Sequence, residues 1–317
     1  MDVVFLQTKI PAYLCLAAAM AIAGSSVVVG KLLILRLPVF LTAAGSLFMA
    51  LLVLLPLTWR VHRGLPRIIK SDLKILALQA LTGIVLFRVF LLSGLELTSA
   101  ASGGIITSTM PAVVGLVSFL YLKEKPAWNK LGGIAAAVAG ILVINTMGLS
   151  TSASGKWSLW GNILVFLAVI GEALFITLQK KISREASPLT RTTLVSLFGF
   201  FIFLPFAVYQ GLQYDFALIQ WLDVLYLAYY GIVVTAVAFI LFYKGASAVP
   251  ATVAGVFGGF MPISSILLSS LILGERLMLH HLFGLIFVLT GICLLAITTE
   301  TETKVPCCPG NEYTSGR

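Results

Sequence analysis

Two ionisable side chains lie inside long apolar segments, where a charge is costly and usually has a function. Arg88 interrupts segment 75–95, and Glu172 interrupts segment 158–178. The arginine could hold a substrate carboxylate, pair with Glu172 or Glu96, or reach the outer headgroups along its apolar stem. The glutamate could bind protons or substrate, make structural hydrogen bonds, or lie in a watery vestibule. Helical rise separates the two by about 10 Å in depth, so both can line one cavity.

The remaining residues offer no constellation for catalysis. His280 and His281 fall near the outer end of the last apolar segment, and His62 falls in a loop. The four cysteines have no metal-ligand spacing, and no phosphate-binding Gly-rich loop precedes a Lys-Ser or Lys-Thr pair. We therefore expect no catalytic residues, no metal site, no cofactor and no ATP-driven pumping by this chain alone.

The composition indicates a membrane protein. Hydrophobic residues make up 59% of the 317 residues, charged residues only 10%, and the mean hydropathy is +1.05. Soluble domains carry about 25% charged residues, so lipid must cover much of this surface. The net charge of +9 resides in short basic runs between apolar segments. That distribution is typical of membrane topology and argues against a nucleic-acid partner.

The apolar pattern predicts an all-α integral membrane protein with ten transmembrane helices. Assigning alternate loops to each side places 16 of the 21 Lys and Arg residues with the two termini, and only Lys31, Arg36, Lys156 and Arg276 opposite. Both termini are therefore expected in the cytoplasm, with the chain in the plasma (inner) membrane. A signal-peptidase site after Ala23 is the alternative, but cleavage would leave nine spans. The ten predicted spans are 11–30, 38–57, 75–95, 99–121, 131–148, 158–178, 193–211, 221–242, 249–273 and 279–297.

An internal repeat divides the chain into two halves. Pro111 is followed thirteen residues later by Glu124, and Pro262 is followed at the same spacing by Glu275, an offset of 151 residues. Five spans per half is an odd number, so the second half must cross the membrane in the opposite direction. We expect repeats at 1–148 and 158–297, followed by a disordered cytoplasmic tail at 298–317. The match continues through Leu131/Leu282, Gly133/Gly284, Gly140/Gly291 and Ile141/Ile292.

Motifs in both halves resemble the drug/metabolite transporter superfamily, in its ten-helix EamA branch. The second half carries Gly231-Ile-Val, Phe242-Tyr243-Lys244-Gly245, Pro262 and Leu273-Gly274-Glu275-Arg276, and the first carries Gly83-Ile-Val, Gly94, Pro111 and Leu122-Lys123-Glu124-Lys125. The chain departs from that pattern at Gly45, where many relatives have arginine, and at Arg88, where they have an uncharged residue. The resemblance implies a secondary transporter that exports small metabolites, amino acids or related compounds, by alternating access.

In relatives the fourth and ninth helices face the central cavity, so the polar residues around Pro111 and Pro262 are expected to line it or to pack helices closely. The two prolines should bend these helices. Ser25 is the rough repeat counterpart of Glu172. The candidate cavity residues are Arg88, Glu172, Ser25, Thr107, Ser108, Thr109, Tyr230, Phe257 and Phe260.

Other functions remain open at this stage. A carrier of phosphorylated sugars or nucleotide-sugars would need several Lys or Arg residues in the cavity, where only Arg88 is available. An intramembrane enzyme or a membrane scaffold is the alternative outside transport. The expected partners are a small-molecule substrate, the lipid bilayer and protons as coupling ion, and the sequence does not determine the oligomeric state.

Overall fold

The computed structural model describes residues 2–62, 70–107, 109–122, 155–179, 181–182, 186–248 and 260–274, with the single residues 257, 286 and 290. All regular secondary structure in these ranges is helical. The α-helices are α1 Asp2–Ile34, α2 Val39–His62, α3 Lys70–Gln79, α4 Phe87–Leu97, α5 Ala100–Thr107, α6 Met110–Leu122, α7 Gly155–Gln179, α8 Pro188–Gln213, α9 Trp221–Ala228, α10 Ala238–Ala248 and α11 Phe260–Ile272. The π-helical segments are π1 Ala80–Leu86 and π2 Tyr229–Val237, and a 3₁₀ turn covers Phe216–Leu218.

Six helices in the described part of the chain are long and apolar enough to cross a membrane, and each overlaps a predicted span. Shorter apolar helical stretches, within 102–117 and at Ile263–Ile272, fall within the predicted fourth and ninth spans. The predicted fifth and tenth spans and the tail lie outside the described residues. The six long helices are Pro11–Ile34, Val39–Val61, Asp72–Leu97, Trp157–Gln179, Pro188–Gln213 and Trp221–Ala248.

The third span (α3, π1 and α4) and the eighth span (α9, π2 and α10) share an unusual construction. In each, a π-helical segment separates two α-helices. The segments end at Leu86 and Val237, which are 151 residues apart, the offset of the sequence repeat. π-Helical turns are rare and occur mostly at functional sites. The structure therefore extends the repeat beyond the motifs that the two halves share and marks two matching places in the third and eighth spans.

The third and eighth spans run in opposite directions. Near the start of the third span, Gln79 Oε1 accepts a hydrogen bond from the hydroxyl of Tyr243, late in the eighth (3.4 Å). Further along the third span, Arg88 lies over the ring of Tyr230, early in the eighth, 4.9 Å from its centroid. This antiparallel arrangement is the one that an inverted repeat requires.

Two glycines 151 residues apart allow close packing between the halves. A Cβ atom at Gly94 in the third span would lie 2.8 Å from the carbonyl oxygen of Gly161 in α7. A Cβ atom at Gly245 in the eighth span would lie 2.8 Å from the carbonyl oxygen of Ala12 in α1. The third span of each half therefore packs against the first span of the other.

The fourth span is interrupted rather than simply bent at its proline. Helix α5 ends at Thr107 and α6 begins at Met110, with a turn in which Thr109 N donates to the carbonyl oxygen of Ile106 (3.0 Å). Pro111 is thus the second residue of a new helix, whereas residues 258 and 259, which precede Phe260 and Pro262, lie outside the described residues. The first turn of a helix tolerates proline because its N–H groups have no intrahelical acceptor.

Candidate functional site

A central cavity lies between the two halves. Its walls come from α1 and the third span of the first half, and from α7, the eighth span and α11 of the second. The space that no atom occupies is about 690 Å³, part of it open to solvent.

Arg88 lines this cavity and links both halves. One terminal nitrogen donates to Ser46 Oγ and to the carbonyl oxygen of Ala43, both in α2. The other donates to Thr235 Oγ1 in π2, and the guanidinium lies on the ring of Tyr230, also in π2. The side chain is 4% exposed. Its described partners are hydroxyls, a carbonyl and a ring, and none of them carries a negative charge at neutral pH.

The π-helical geometry of the eighth span orients two partners of Arg88, Thr235 and Tyr230. Thr235 Oγ1 donates to the carbonyl oxygen of Tyr230, five residues earlier, at 2.9 Å. This bond orients the lone pairs of the Thr235 hydroxyl for the guanidinium. The same turn presents the face of the Tyr230 ring, which attracts a cation.

Glu172 enters the cavity from α7. Its Oε2 atom is shielded from solvent and has no hydrogen-bond partner in the described structure. The preceding Gly171 packs against the backbone of Thr82 and Phe87, in the part of the third span that carries Arg88. No ion pair joins Glu172 to Arg88 among the described residues. A buried carboxyl oxygen without a partner needs a proton, a water molecule or a ligand group to satisfy it.

Aromatic rings cover much of the remaining wall. Phe87, Phe175, Phe239 and Phe242 line the cavity. The Phe175 ring centroid is 5.6 Å from that of Phe239 and 5.9 Å from that of Tyr243. The site therefore combines one cation, one carboxyl and an apolar aromatic surface.

Three of the candidates from the sequence line this cavity: Arg88, Glu172 and Tyr230. Ser25 instead donates to the carbonyl oxygen of Ile22 (2.6 Å) and is hydrogen-bonded to the hydroxyl of Tyr229 (2.9 Å). Its neighbour Ser26 takes the place in the lining.

The candidates on the fourth and ninth spans lie elsewhere. Thr107 and Thr109 are buried and donate to backbone carbonyls of their own helix turn. Phe257 stacks between Tyr13 and Phe260, with centroids at 5.6 and 6.0 Å, and neither Phe257 nor Phe260 is among the lining residues. Ser108 lies outside the described residues.

Sequence reasoning missed Ser26, Ser46 and Thr235. The sequence held one hint of the contact with Ser46, because the chain departs from the family pattern at both Gly45 and Arg88. In the structure these two positions are neighbours, since Arg88 contacts Ala43 and Ser46, which flank Gly45 in α2. No group of three or more His, Cys, Asp or Glu side chains that could hold a metal occurs in the described part of the chain.

Sequence comparison identifies the family. The profile of the EamA-like transporter family matches residues 10–146 and, separately, residues 159–297. The chain belongs to this family. It is therefore a multi-pass membrane transporter of the drug/metabolite transporter superfamily, with a two-repeat fold, and not an enzyme.

Two similar bacterial proteins are named as transporters. The chain is 41% identical to the uncharacterized transporter YetK of Bacillus subtilis (strain 168), over 96% of this chain and 92% of that protein. It is 27% identical to the uncharacterized transporter YcxC of the same organism, over 77% and 79% of the two chains. A WAT1-related protein of Arabidopsis thaliana is 29% identical over 58% of each chain. None of these names specifies a substrate.

A protein of known crystal structure shares the fold. It superposes with a TM-score of 0.63 over 93% of this chain and 99% of its own length, at 15% sequence identity. At that identity the likeness concerns the architecture alone.

Proposed function

We propose that this transporter exports small zwitterionic metabolites, amino acids or related compounds, from the cytoplasm by alternating access at the central cavity. The observation that carries the proposal is that an arginine and a glutamate line one cavity without an ion pair between them. Arg88 has neutral described partners, and Glu172 Oε2 has none. A substrate carboxylate would displace hydroxyl groups from Arg88, and a substrate ammonium group or a proton would satisfy Glu172.

Both termini are cytoplasmic in this proposal, and the two repeats exchange conformations to move the site between the two faces. Support comes from the charge distribution of the loops and from the antiparallel packing of the third and eighth spans. The aromatic wall favours an apolar substrate side chain. A phosphorylated sugar suits the cavity less well, because the lining has one arginine and one carboxylate.

Solute counterflow in proteoliposomes tests the proposal without assuming a coupling ion. Vesicles loaded with one unlabelled compound would receive the labelled compound outside, across a panel of neutral, aromatic and cationic amino acids, nucleosides and hexose phosphates. We expect counterflow with amino acids that have apolar side chains, and its loss in Arg88→Ala. The control is Arg60→Ala, because Arg60 is exposed near the end of α2. Counterflow with hexose phosphates and not with amino acids would overturn the proposed substrate class.

A further inference from the structure

An ion pair joins the two halves at one end of the bundle. Arg36 lies in the connection between α1 and α2, and Asp223 lies in the first turn of α9. Their charged atoms are 3.7 Å apart, and the Asp223 side chain is 2% exposed while that of Arg36 is 46% exposed. Arg36 also donates to Gln220 Oε1, and Gln220 N donates to Asp223 Oδ2 (2.9 Å). This group therefore connects the beginning of the second span to the beginning of the eighth.

A second pair of charged residues lies where the third span of the first half meets the seventh span, in the second half. Asp72, in the first turn of α3, precedes Asp223 by 151 residues and is buried. It interacts electrostatically with the buried Arg191, in the first turn of α8, and α3 packs against α8. Arg191 Nε donates to the carbonyl oxygen of Ala186 (2.9 Å), and its guanidinium lies 6.0 Å from the Tyr243 ring centroid. Here the beginning of the third span meets the beginning of the seventh.

The two pairs lie at opposite ends of the bundle. Asp72 begins the third span and Asp223 begins the eighth, and these two spans are antiparallel. The Asp72–Arg191 pair is therefore close to Tyr243 and Gln79, whereas the Arg36–Asp223 pair is close to the opposite ends of the same two spans. The cavity with Arg88 and Glu172 lies between the pairs. With cytoplasmic termini, Arg36 and Asp223 are external, and Asp72 and Arg191 are cytoplasmic.

We propose that the Arg36–Asp223 and Asp72–Arg191 pairs are the external and cytoplasmic gates of the transport cycle. Each pair joins the second span of one half to the third span of the other, so a rocking motion that opens one face separates one pair and leaves the other together. The aspartates occupy equivalent repeat positions, while each arginine reaches its partner from a different place at the start of its span. This inference rests on the alternating-access mechanism proposed above, but not on the identity of the substrate.

Labelling of a cavity cysteine tests the gates directly. Ser26→Cys would be introduced after replacement of Cys15, Cys293, Cys307 and Cys308 by serine. A membrane-impermeant maleimide would be applied to right-side-out and to inside-out vesicles. Asp223→Asn should increase the labelling rate from the external face by about fivefold, the upper range for a partly exposed ion pair. Asp72→Asn should increase it from the cytoplasmic face instead.

Matched controls separate gating from general loosening of the fold. Asp215→Asn alters an external aspartate that bonds only locally, to Ala217 N (3.0 Å). Lys74→Gln alters an exposed residue in the same helix as Asp72. Neither control should change labelling from either face.

A charge exchange addresses variants that fold poorly. The double variant Arg36→Asp with Asp223→Arg should return external labelling part of the way to the level of the parent protein, because it restores the charge attraction but not the bonds to Gln220. Equal increases from both faces after either neutralisation, or no change from either face, would overturn the gate assignment. If the gates respond as expected while amino acid counterflow is absent, the proposed substrate class fails and the gates stand.

Discussion

At the scale of single residues, the contacts of Arg88 explain how a buried cation is tolerated without a carboxylate. Two hydroxyls, one carbonyl and the face of an aromatic ring surround the guanidinium. Its planar fork lets one end bond α2 while the other bonds π2, so a single side chain joins the two halves. Neutral partners hold the charge in position and leave it uncompensated, which favours an anionic group on the substrate.

The first prediction concerns Arg88→Lys. A lysine keeps the positive charge but cannot bond Ser46 and Thr235 together with the same rigid geometry. We expect the KM for transport to rise about tenfold, as for the loss of one hydrogen bond to a charged group, with a smaller change in maximal rate. The concentration dependence of counterflow measures this, with Arg60→Lys as the control. An unchanged KM would place the substrate away from Arg88.

The second prediction concerns Glu172→Gln. Glutamine has almost the same shape but cannot bind and release a proton, so accumulation driven by a proton gradient should be lost. Counterflow should persist, because the amide oxygen of glutamine can still accept a hydrogen bond from a substrate ammonium group. The matched control is Glu96→Gln, because Glu96 is exposed at the end of the third span and does not line the cavity. Gradient-driven accumulation is measured in proteoliposomes with an imposed pH difference. Full accumulation by Glu172→Gln would remove this residue from proton coupling.

At the scale of elements, the two π-helical segments determine which side chains reach the cavity. Each segment has the wider turn of a π-helix, with hydrogen bonds between residues five apart, and each lies in a span that carries lining residues. Hydropathy predicts where a span begins and ends, since it depends only on apolar length. It does not predict a π-helical turn, because that turn depends on hydrogen bonds and tertiary packing. Tertiary packing also determines which face of a helix points to the cavity. The sequence therefore indicated Ser25, whereas the next residue, Ser26, lines the cavity.

The third prediction concerns the paired glycines of the third and eighth spans. A methyl group at Gly94 or at Gly245 would meet a backbone carbonyl oxygen at 2.8 Å. Overpacking of this kind destabilises by about 1–3 kcal/mol, so Gly94→Ala and Gly245→Ala should each lower the Tm. Gly115→Ala is the control, because no described atom outside its own stretch of helix lies within 4 Å of its added Cβ. Thermal unfolding in detergent measures the Tm. An increase in all three variants would mean that helix propensity outweighs packing at these positions.

At the scale of the whole molecule, the sequence predicted a membrane protein with an internal repeat. Both features depend on patterns along the chain, namely long apolar segments and repeated motifs. Arg88 and Glu172 were predicted for a related reason, since a charge in an apolar span is visible without a structure. The contacts between the halves could not be predicted in this way. Asp72 and Asp223 look like ordinary first-turn acidic residues, and only the packing of the halves brings Asp223 to Arg36.

The fourth prediction, and the most direct test of the central cavity as the transport route, is counterflow by Ala23→Trp. Ala23 lines the cavity from α1, so an indole there should fill the space and abolish counterflow. Leu14→Trp is the control on the same helix, because Leu14 is 65% exposed and its side chain faces outward. Both proteins should remain folded and monodisperse in detergent. Loss of counterflow in Ala23→Trp alone is the predicted result, and normal counterflow in that variant would contradict a transport route through this cavity.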